Sequence, residues 1–366
     1  MAKGIMYVDN IRVEFDDEPT IMDVCRKAGV EMPNFCFHSD LSVYGACRMC
    51  MVEDLDTGKI DAACTTKPKN GMRIRTNTSR LLKYRRMILE LMLASHCRDC
   101  TACEKNRSCR LQEMAVRFGI HHVHFKDTRE HVPMDFSSPA VTFDLNKCIL
   151  CGDCVRVCKE VQGMSILHFA GRGPGLHIEA GDDQPISTTH CVSCGQCAAV
   201  CTTGAITVKN DIGAAWRALH DPQKRVVIQI APAVRVAIGE AYGLPAGENV
   251  LDKLVTALKI MGADEIYDTI FGADLTVREE SKEFLRRLET GENLPLMTSC
   301  CPSWVRYVEQ ERPQFIKNLS SALSPMQMFA TVLKDKYREK DAADGRTTFH
   351  LSLIHISEPT RLDVIS

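Results

Sequence analysis

Two stretches of the chain, "CILCGDCVRVC" (residues 148–158) and "CVSCGQCAAVC" (191–201), repeat one cysteine spacing, C-x2-C-x2-C-x3-C. The first three thiolates of such a loop wrap one cubane, while the fourth cysteine, on the helix that follows, points to the other cluster. The repeat therefore predicts a small duplicated domain with two 4Fe-4S clusters and crossed ligands. One ligand set comprises Cys148, Cys151, Cys154 and Cys201, and the other comprises Cys191, Cys194, Cys197 and Cys158.

Composition indicates a multidomain protein with metal or redox sites. The 366 residues exceed one ordinary domain, and 45% of them are hydrophobic, which is enough to form buried cores. A formal net charge of −2 gives no electrostatic reason to expect nucleic acid as a partner. The sequence has no signal-peptide core and no apolar run long enough for a transmembrane helix, so we expect a cytoplasmic chain. In that compartment 19 cysteines favour metal ligation over disulfides.

Another cysteine group lies near the N-terminus, in a segment with the pattern of a compact α+β unit. Alternating apolar residues around Asp9-Asn10 predict a hairpin, and Thr20 with Asp23 predicts a capping box at the start of a short helix. The spacing C-x10-C-x2-C-x13-C that follows suits the four thiolates of a 2Fe-2S cluster. Zinc is the alternative, although zinc loops more often have two CxxC pairs. The ligands would be Cys36, Cys47, Cys50 and Cys64, with Cys25 a buried, inert thiol.

A histidine and three cysteines follow a stretch with helical periodicity. Its apolar positions are Leu81, Tyr84, Ile88 and Leu91. The helix would deliver His96 to a cluster site completed by Cys100, Cys103 and Cys109. One imidazole and three thiolates can hold a 4Fe-4S cluster, and a neutral ligand in place of a thiolate should raise its reduction potential. Alternatively, His96 only ends the helix and Cys97 is the fourth ligand.

Two short motifs outside these groups have simpler interpretations. The run "HHVH" (121–124) is interpreted as a solvated linker, since no further ligand is spaced to join it in a metal site. The run "GRGPG" (171–175) has the wrong glycine spacing for a dinucleotide fingerprint and is interpreted as a flexible insertion between the two cluster loops.

Beyond about residue 222, strands alternate with helices, which predicts an α/β domain. The predicted strands are "RVVIQIAP" (225–232), "DEIYDTIF" (264–271) and "LPLMTSCC" (294–301), and the predicted helices span 250–261 and 275–288. In such sheets reactive groups collect in loops beyond the carboxyl ends of the strands. The adjacent thiols of Cys300 and Cys301 are therefore expected to face a pocket, and Pro302 suits the first turn of the next helix.

In chain order, these motifs resemble the FeFe-hydrogenase catalytic subunit in its long form with four accessory clusters. The resemblance runs from residue 1 to about 350 and includes "APAVRVAIGE", "ADLTVREE", "TSCCPSW" and "SALSPMQMF". The N-terminal half alone also resembles the cluster-bearing subunit of respiratory NADH dehydrogenase, and "TSCCPSW" separates the two families.

The resemblance implies an α+β multidomain chain with four parts. These are a β-grasp 2Fe-2S ferredoxin domain at 1–78, a small histidine-ligated 4Fe-4S domain at 79–120, a bacterial-ferredoxin-like domain with two 4Fe-4S clusters at 138–210, and a partial α/β hydrogenase domain at 222–350.

The resemblance also implies roles for individual residues. Cys301 would ligate the 4Fe-4S part of the H-cluster, and the unligated Cys300 would exchange protons with its two-iron part, which suits a thiol because its pKa lies near neutral. Pro232 and Ala233 would line the cofactor pocket. A relay of protons from solvent would comprise Glu280, Glu283, Ser320 and, near its outer end, Arg287. Periodicity alone favours glutamates that decorate an exposed helix face.

The last residues depart from the family pattern. An H-cluster of this family needs four cysteines, three of them from later motifs of the type MPC and ExMxCxxGC, and no cysteine follows Cys301. The end "LSLIHISEPTR" (351–361) is similar to a translated sequencing adapter, so residues 351–366 are interpreted as an artefact and the chain as truncated. Such a chain would bind its accessory clusters without producing H2 itself.

The implied function is reversible H2 oxidation and proton reduction, with electrons relayed through the clusters. The redox partner would be ferredoxin or a flavin-containing subunit that oxidises NAD(P)H. Two alternatives remain: a cluster-bearing electron-transfer subunit of an NADH or formate dehydrogenase, and a sensory relative of the hydrogenases. A downstream molybdopterin-type domain would favour the first, and a downstream signalling domain would favour the second.

Overall fold

The computed structural model describes residues 3–127, 131–182 and 184–353. Residues 354–366, most of the segment interpreted as an artefact, lie outside the described residues. The chain divides into two compact units, one comprising 1–138, 142–189 and 196–207, and the other 139–141, 190–195 and 208–366.

The first unit begins with a five-stranded sheet in the order β2-β1-β5-β3-β4. Its strands are β1 (Gly4–Val8), β2 (Ile11–Phe15), β3 (Met51–Asp54), β4 (Ile60–Ala62) and β5 (Arg73–Arg75). The predicted hairpin turns at Asp9 and Asn10, which both adopt positive φ (49° and 73°), as a tight hairpin turn requires. Helix α1 (Ile21–Lys27) begins where predicted, because the hydroxyl of its N-cap Thr20 accepts the N–H of Asp23.

Helix α2 (Ser79–Ala94) follows the sheet, and helix α3 (Arg110–Arg117) lies beyond the next cysteine group. Apolar periodicity predicted α2 correctly but not the centre of its buried face. Tyr84 and Leu91 are 36% and 48% exposed, whereas Leu81, Arg85 and Leu89 are buried. The buried face of α2 is centred on Arg85, because that side chain turns inward and donates hydrogen bonds to backbone carbonyls.

The duplicated cysteine loops are flanked by short elements. In chain order these are β6 (Val141–Phe143), α4 (Asp153–Arg156), β7 (Leu167–Ala170), β8 (His177–Ala180), α5 (Gln196–Val200) and β9 (Ile206–Val208). Strand β6 pairs with β9, and α4 continues as a π-helical turn over Val157–Val161. Strands β7 and β8 form an antiparallel hairpin with "GRGPG" at its tip, where Leu176 N–H donates to Gly173 O (3.1 Å). The segment "GRGPG", interpreted from the sequence as a flexible insertion, thus forms the turn of a hairpin between the two cluster loops.

The second unit is an α/β domain, as its pattern predicted. Its elements are α6 (Ile212–Leu219), β10 (Lys224–Ile230), α7 (Pro232–Ala237), α8 (Leu251–Ile260), β11 (Glu265–Asp268), α9 (Ile270–Thr290), α10 (Pro302–Glu311), α11 (Pro325–Asp344) and β12 (Thr347–Leu353). The three strands are parallel in the order β11-β10-β12. The central β10 is buried along nearly its whole length, as a strand covered on both faces should be.

Two of the predicted strands differ from the structure. "LPLMTSCC" forms only one isolated bridge, between Met297 and Leu319, and Pro295 within it has no N–H to donate to a strand partner. "DEIYDTIF" is a strand only as far as Asp268, whose carboxylate accepts the N–H of Ile270 (3.0 Å) at the start of α9. That helix is longer than predicted.

Within the described part of the chain, no helix combines the length and apolar character needed to cross a bilayer.

Candidate metal centres

The four N-terminal cysteines are buried and form two thiol pairs. Cys36, Cys47, Cys50 and Cys64 are at most 7% exposed. A hydrogen bond from the Cys36 thiol lowers the pKa of Cys47 to about 6, while the pKa of Cys36 is raised. In the same way a hydrogen bond from Cys64 lowers the pKa of Cys50 and raises its own. A 2Fe-2S cluster with four cysteine ligands takes two at each iron, so this donor set fits it.

A buried arginine that sequence reasoning missed holds the loop of these cysteines. Arg85 donates to Met49 O (2.9 Å) and Met51 O (2.7 Å), on either side of Cys50, and to Thr76 O (2.8 Å). Burial lowers the pKa of Arg85 to about 10. The signal in the sequence is its position four residues from both Leu81 and Leu89, in the middle of an otherwise apolar face.

The histidine and its neighbouring cysteines lie together. His96 is 9% exposed, and its Nδ1 accepts the N–H of Arg98 (3.1 Å). Burial raises the pKa of Cys100, and the nearby thiols of Cys109, Cys103 and Cys97 raise it further. Because the Cys97 Sγ lies 4.0 Å from Nδ1 of His96, the geometry leaves open which of the two is the ligand.

Three cysteines of the first repeat and one cysteine of the second line the same cavity. These are Cys148, Cys151, Cys154 and Cys201, and the other lining residues are mostly apolar. Burial raises the pKa of Cys151 to about 12 and raises that of Cys154 well above its ordinary value. The Thr202 hydroxyl donates to the Cys151 Sγ (3.6 Å). The donor set suits a cluster in a water-poor site, where a cationic iron core would displace the thiol protons.

The two repeats share one backbone conformation. Leu150 and Ser193, each two residues after the first cysteine of its repeat, have φ of 58° and 59°. Each donates its N–H to that cysteine's sulfur, Cys148 or Cys191, at 3.4 Å. A left-handed conformation is unusual for residues other than glycine, and here it directs an amide dipole at sulfur, as is favourable for a thiolate ligand.

A second arginine missed in the sequence links the Cys36 loop to α4. Arg156 is 8% exposed and donates to Cys36 O (2.9 Å), to the carbonyl of Ser42 and to Asp153 Oδ1 (2.5 Å). Its guanidinium lies 5.7 Å from the centroid of the Tyr44 ring. One cation therefore ties a predicted 2Fe-2S ligand to the helix between Cys154 and Cys158.

The last cysteines begin helix α10. Cys301 is its half-buried N-cap residue, followed by Pro302 in the first turn as predicted, and Cys300 is exposed. Pro232 and Ala233 are the first residues of α7, directly after the carboxyl end of the central strand β10.

The residues of the predicted proton relay are mostly brought together. Glu283 pairs with Arg287 (2.5 Å) and accepts the Ser320 hydroxyl (3.2 Å), and all three are buried. The expectation from periodicity, that Glu283 decorates an exposed face, is therefore wrong. Glu280 is half-buried, three residues earlier on α9. A cleft of about 400 Å³ beside Glu283 is lined by both charged and apolar residues.

Four family models match the chain. "Iron only hydrogenase large subunit, C-terminal domain" matches residues 224–354, and "2Fe-2S iron-sulfur cluster binding domain" matches 5–79. "NADH-ubiquinone oxidoreductase-G iron-sulfur binding region" matches 85–124, and "4Fe-4S dicluster domain" matches 140–202.

Similar proteins cover most of the chain. The NADP-reducing hydrogenase subunit HndD of Solidesulfovibrio fructosivorans is 36% identical over 351 residues, which are 93% of this chain and 60% of that protein. Iron hydrogenase 1 of Clostridium pasteurianum is 32% identical over 353 residues, 95% of this chain and 61% of that protein. The chain therefore spans about three fifths of the length of these relatives. A chain in the crystal structure of an NAD+-reducing NiFe-hydrogenase in the H2-reduced state is 30% identical, with a TM-score of 0.53, covering 57% of this chain and 88% of that one.

The fold and the matches define a chain of mixed α/β structure with 2Fe-2S, 4Fe-4S and hydrogenase domains. The chain is homologous to the iron-only hydrogenases, and its residues 224–354 match the C-terminal domain of their large subunits. The resemblance drawn from the motifs is thereby confirmed.

Proposed function

We propose that this chain binds one 2Fe-2S and three 4Fe-4S clusters and carries electrons among them, within an FeFe-hydrogenase large subunit that catalyses reversible H2 oxidation. The observation that carries the proposal is the cavity lined by Cys148, Cys151, Cys154 and Cys201, since it joins cysteines of both repeats. The proposed 2Fe-2S ligands are the two buried thiol pairs, in a domain that we assign to the β-grasp type from its mixed five-stranded sheet and single helix. For the set Cys191, Cys194, Cys197 and Cys158, the spacing of the repeat carries the proposal.

When bound, the clusters supply one-electron transfer, and the residues of the chain prepare their sites. Backbone N–H groups of Leu150 and Ser193 point at ligand sulfurs and offset their negative charge. Arg85 and Arg156 fix the carbonyls of the Cys36–Cys50 loop, and so hold the sulfurs in place without competing as ligands. Burial of Cys36, Cys47, Cys50 and Cys64 keeps water from the proposed 2Fe-2S site.

The H-cluster does not fit the residues present. The family pattern requires four cysteines, whereas the sequence offers Cys301, with Cys300 beside it, and no later cysteine. No reaction step is therefore derived through that group. Within an FeFe-hydrogenase large subunit we propose the residue roles that the resemblance implies: Cys301 as ligand, Cys300 as acid and base, Pro232 and Ala233 at the cofactor, and Glu280, Glu283, Ser320 and Arg287 in the proton relay. The hydrogen bonds among Glu283, Ser320 and Arg287 support that relay.

Reconstitution of the full chain tests the cluster proposal. Anaerobic loading with iron and sulfide should yield about 14 iron atoms per chain, the content of one 2Fe-2S and three 4Fe-4S clusters. Cys201→Ser should remove about four of them, because it removes one ligand of the Cys148 cluster. Cys25→Ala, at a buried cysteine outside the four sets, is the matched control and should keep all of them. Equal iron contents for Cys201→Ser and Cys25→Ala would overturn the assignment.

The ligand at His96 is tested by two variants. His96→Cys should keep the cluster and lower its reduction potential, because an anionic thiolate replaces a neutral imidazole. Cys97→Ala should leave the cluster and its potential unchanged. Loss of the cluster in Cys97→Ala would instead identify Cys97 as the ligand. The readout is a redox titration followed by electron paramagnetic resonance.

The redox partner is proposed to be ferredoxin or a flavin-containing subunit that oxidises NAD(P)H. Two of the similar proteins are named for the reduction of NADP or NAD+, which supports the second choice. The match at 85–124 to the NADH-ubiquinone oxidoreductase-G region leaves an electron-transfer subunit of an NADH dehydrogenase as the alternative. The hydrogenase-domain match at 224–354, which contains Cys300 and Cys301, favours the hydrogenase.

A further inference from the structure

The hairpin β7–β8 carries a group of metal-binding side chains apart from every cysteine set. His168 and Glu179 are direct cross-strand partners, so their side chains lie on the same face. His177, two residues before Glu179 on β8, shares that face because side chains alternate along a strand. The opposite face holds Leu167 and Ile178, which are buried. The polar side chains thus lie on the more exposed face of the hairpin, whose opposite face is buried.

Distances in this group are those of a coordination site. Nε2 of His168 lies 3.0 Å from one carboxylate oxygen of Glu179, and Nε2 of His177 lies 3.2 Å from the other. One ligand atom from each of His168, Glu179 and Asp182 lies within 4.8 Å of the others. Ligand atoms of a tetrahedral zinc ion with bonds of 2.0–2.1 Å are about 3.3 Å apart. The atoms of His168, Glu179 and Asp182 must therefore approach one another by up to about 1.5 Å to hold an ion, and His177 adds a nitrogen beside Glu179.

The tautomer of His177 is set by its backbone. Its Nδ1 lies 2.8 Å from the carbonyl oxygen of Gly175, a contact that requires the proton on Nδ1. In the neutral ring, Nε2 then presents a lone pair to the Glu179 carboxylate, which is also an acceptor. A cation between them, either a metal ion or the second proton of an imidazolium, satisfies both acceptors, and an imidazole held by an Nδ1–H to carbonyl bond is the usual arrangement of a histidine ligand.

We propose that His168, His177, Glu179 and Asp182 bind one divalent transition-metal ion of the zinc class. Two imidazole nitrogens favour zinc, cobalt or nickel over magnesium and calcium, which prefer oxygen ligands alone. The ion joins β7 to β8 across the tip formed by Gly171–Gly175 and stiffens the connection between the two cluster loops. This site is independent of the iron-sulfur assignment, since it contains no cysteine.

Zinc binding to the full, cluster-loaded chain tests this site. After removal of loosely bound metal, one equivalent of ZnCl2 is added and the zinc K-edge X-ray absorption is recorded. The expected first shell contains nitrogen and oxygen only, at about 2.0–2.1 Å. A sulfur shell at about 2.3 Å would place the zinc on cysteines and overturn the proposal. An equivalent of MgCl2 should not compete.

Variants assign the binding to the hairpin. His168→Ala and Glu179→Gln should each weaken zinc binding at least tenfold, as measured by competition with a chelator of known affinity. The matched control is His124→Ala, since His124 also lies 2.8 Å from a carboxylate, that of Glu90, in another part of the chain. Wild-type affinity in His168→Ala, or a loss in His124→Ala as large as in His168→Ala, would refute the site. The visible absorption of the clusters, unchanged in all three variants, shows that the fold is retained.

Discussion

The first and the last cysteines of the chain stand in opposite settings. Cys36, Cys47, Cys50 and Cys64 are buried and paired through their thiols. Cys50 and Cys64 lie in the core of their own domain, and Cys36 and Cys47 lie in a hydrophobic cluster with residues of α2 and α3. Cys300 is exposed, and Cys301 is half-buried at the start of α10. The segment that leads to them makes one isolated strand bridge, Met297 to Leu319, and two side-chain hydrogen bonds, from Ser299 to Ala322 O (2.9 Å) and from Asn318 to Pro295 O (3.0 Å).

The difference shows how two kinds of cysteine site are positioned. In the first, four ligands come from one loop and one strand end of a small domain, and Arg85 satisfies the carbonyls of that loop. Its geometry is therefore set by the loop together with Arg85 and Arg156, which lie later in the chain. In the second, residues 294–301 lack a strand partner over most of their length and are held by hydrogen bonds to residues 318–322.

The largest expected difference between the two groups of cysteines is the effect of replacing one cysteine on the bound iron. Cys64→Ser should abolish the 2Fe-2S signal in electron paramagnetic resonance and reduce bound iron by about two atoms, because a cluster with four thiolate ligands loses one of them. Cys300→Ser should leave the iron content of this chain unchanged. Equal losses in the two variants would mean that the N-terminal thiols are not a separate cluster site.

Replacement of the buried arginine should loosen the first site. Arg85→Leu leaves three buried carbonyls without their donor, at a cost of about 3 kcal/mol in the free energy of unfolding. The measurement is loss of visible circular dichroism from the 2Fe-2S cluster during denaturation with urea. Arg86→Leu, the exposed neighbour on the same helix, is the control and should behave as the wild type. If both variants lose the signal at the same urea concentration, Arg85 does not hold the loop.

The equivalent arginine of the second unit should matter about as much. Arg287→Leu leaves Glu283 without its cation and the carbonyls of Asn293, Asn318 and Leu319 without their donor, at a cost of about 3 kcal/mol in the free energy of unfolding. Fluorescence of Trp216 and Trp304 monitors this unit alone, since the chain has two tryptophans and both lie in it. Glu279→Gln, which breaks an exposed pair with Lys282 on the same helix, should leave the urea midpoint unchanged. A larger fall in the urea midpoint for Glu279→Gln than for Arg287→Leu would contradict this expectation.

The smallest expected effect is a pH dependence of stability that arises from Glu283. Burial raises the pKa of Glu283, but hydrogen bonds from Ser321 and the Arg287 ion pair outweigh it, so the pKa lies below the ordinary 4.5. A carboxyl with a lowered folded-state pKa stabilises the fold above its unfolded pKa, and that contribution is lost as the pH falls through the folded pKa. The stability advantage of wild type over Glu283→Gln, measured by tryptophan fluorescence, should therefore be constant above pH 4.5 and shrink below it. If the stability advantage of wild type over Glu283→Gln grew as the pH fell, the expected direction of the pH dependence would be wrong.

The sequence by itself determined which residues form the cysteine groups, the β1–β2 hairpin, the start of α1, and the central parallel strand of the α/β domain. These features depend on spacing, turn chemistry and periodicity, which act over a few residues. The family resemblance was likewise carried by short motifs in a fixed order, and the comparisons confirmed it.

Only the tertiary structure decided features that join distant residues. Arg85 and Arg156 could not be assigned from periodicity, because their partners are backbone carbonyls of other loops. The segment 294–301 has the apolar pattern of a strand, yet it pairs only at Met297, with Leu319, and does not join the β11-β10-β12 sheet. The group on the β7–β8 hairpin likewise required the register that places His168 opposite Glu179. A pattern specifies what a segment can form, whereas the partners available to it in three dimensions decide what it does form.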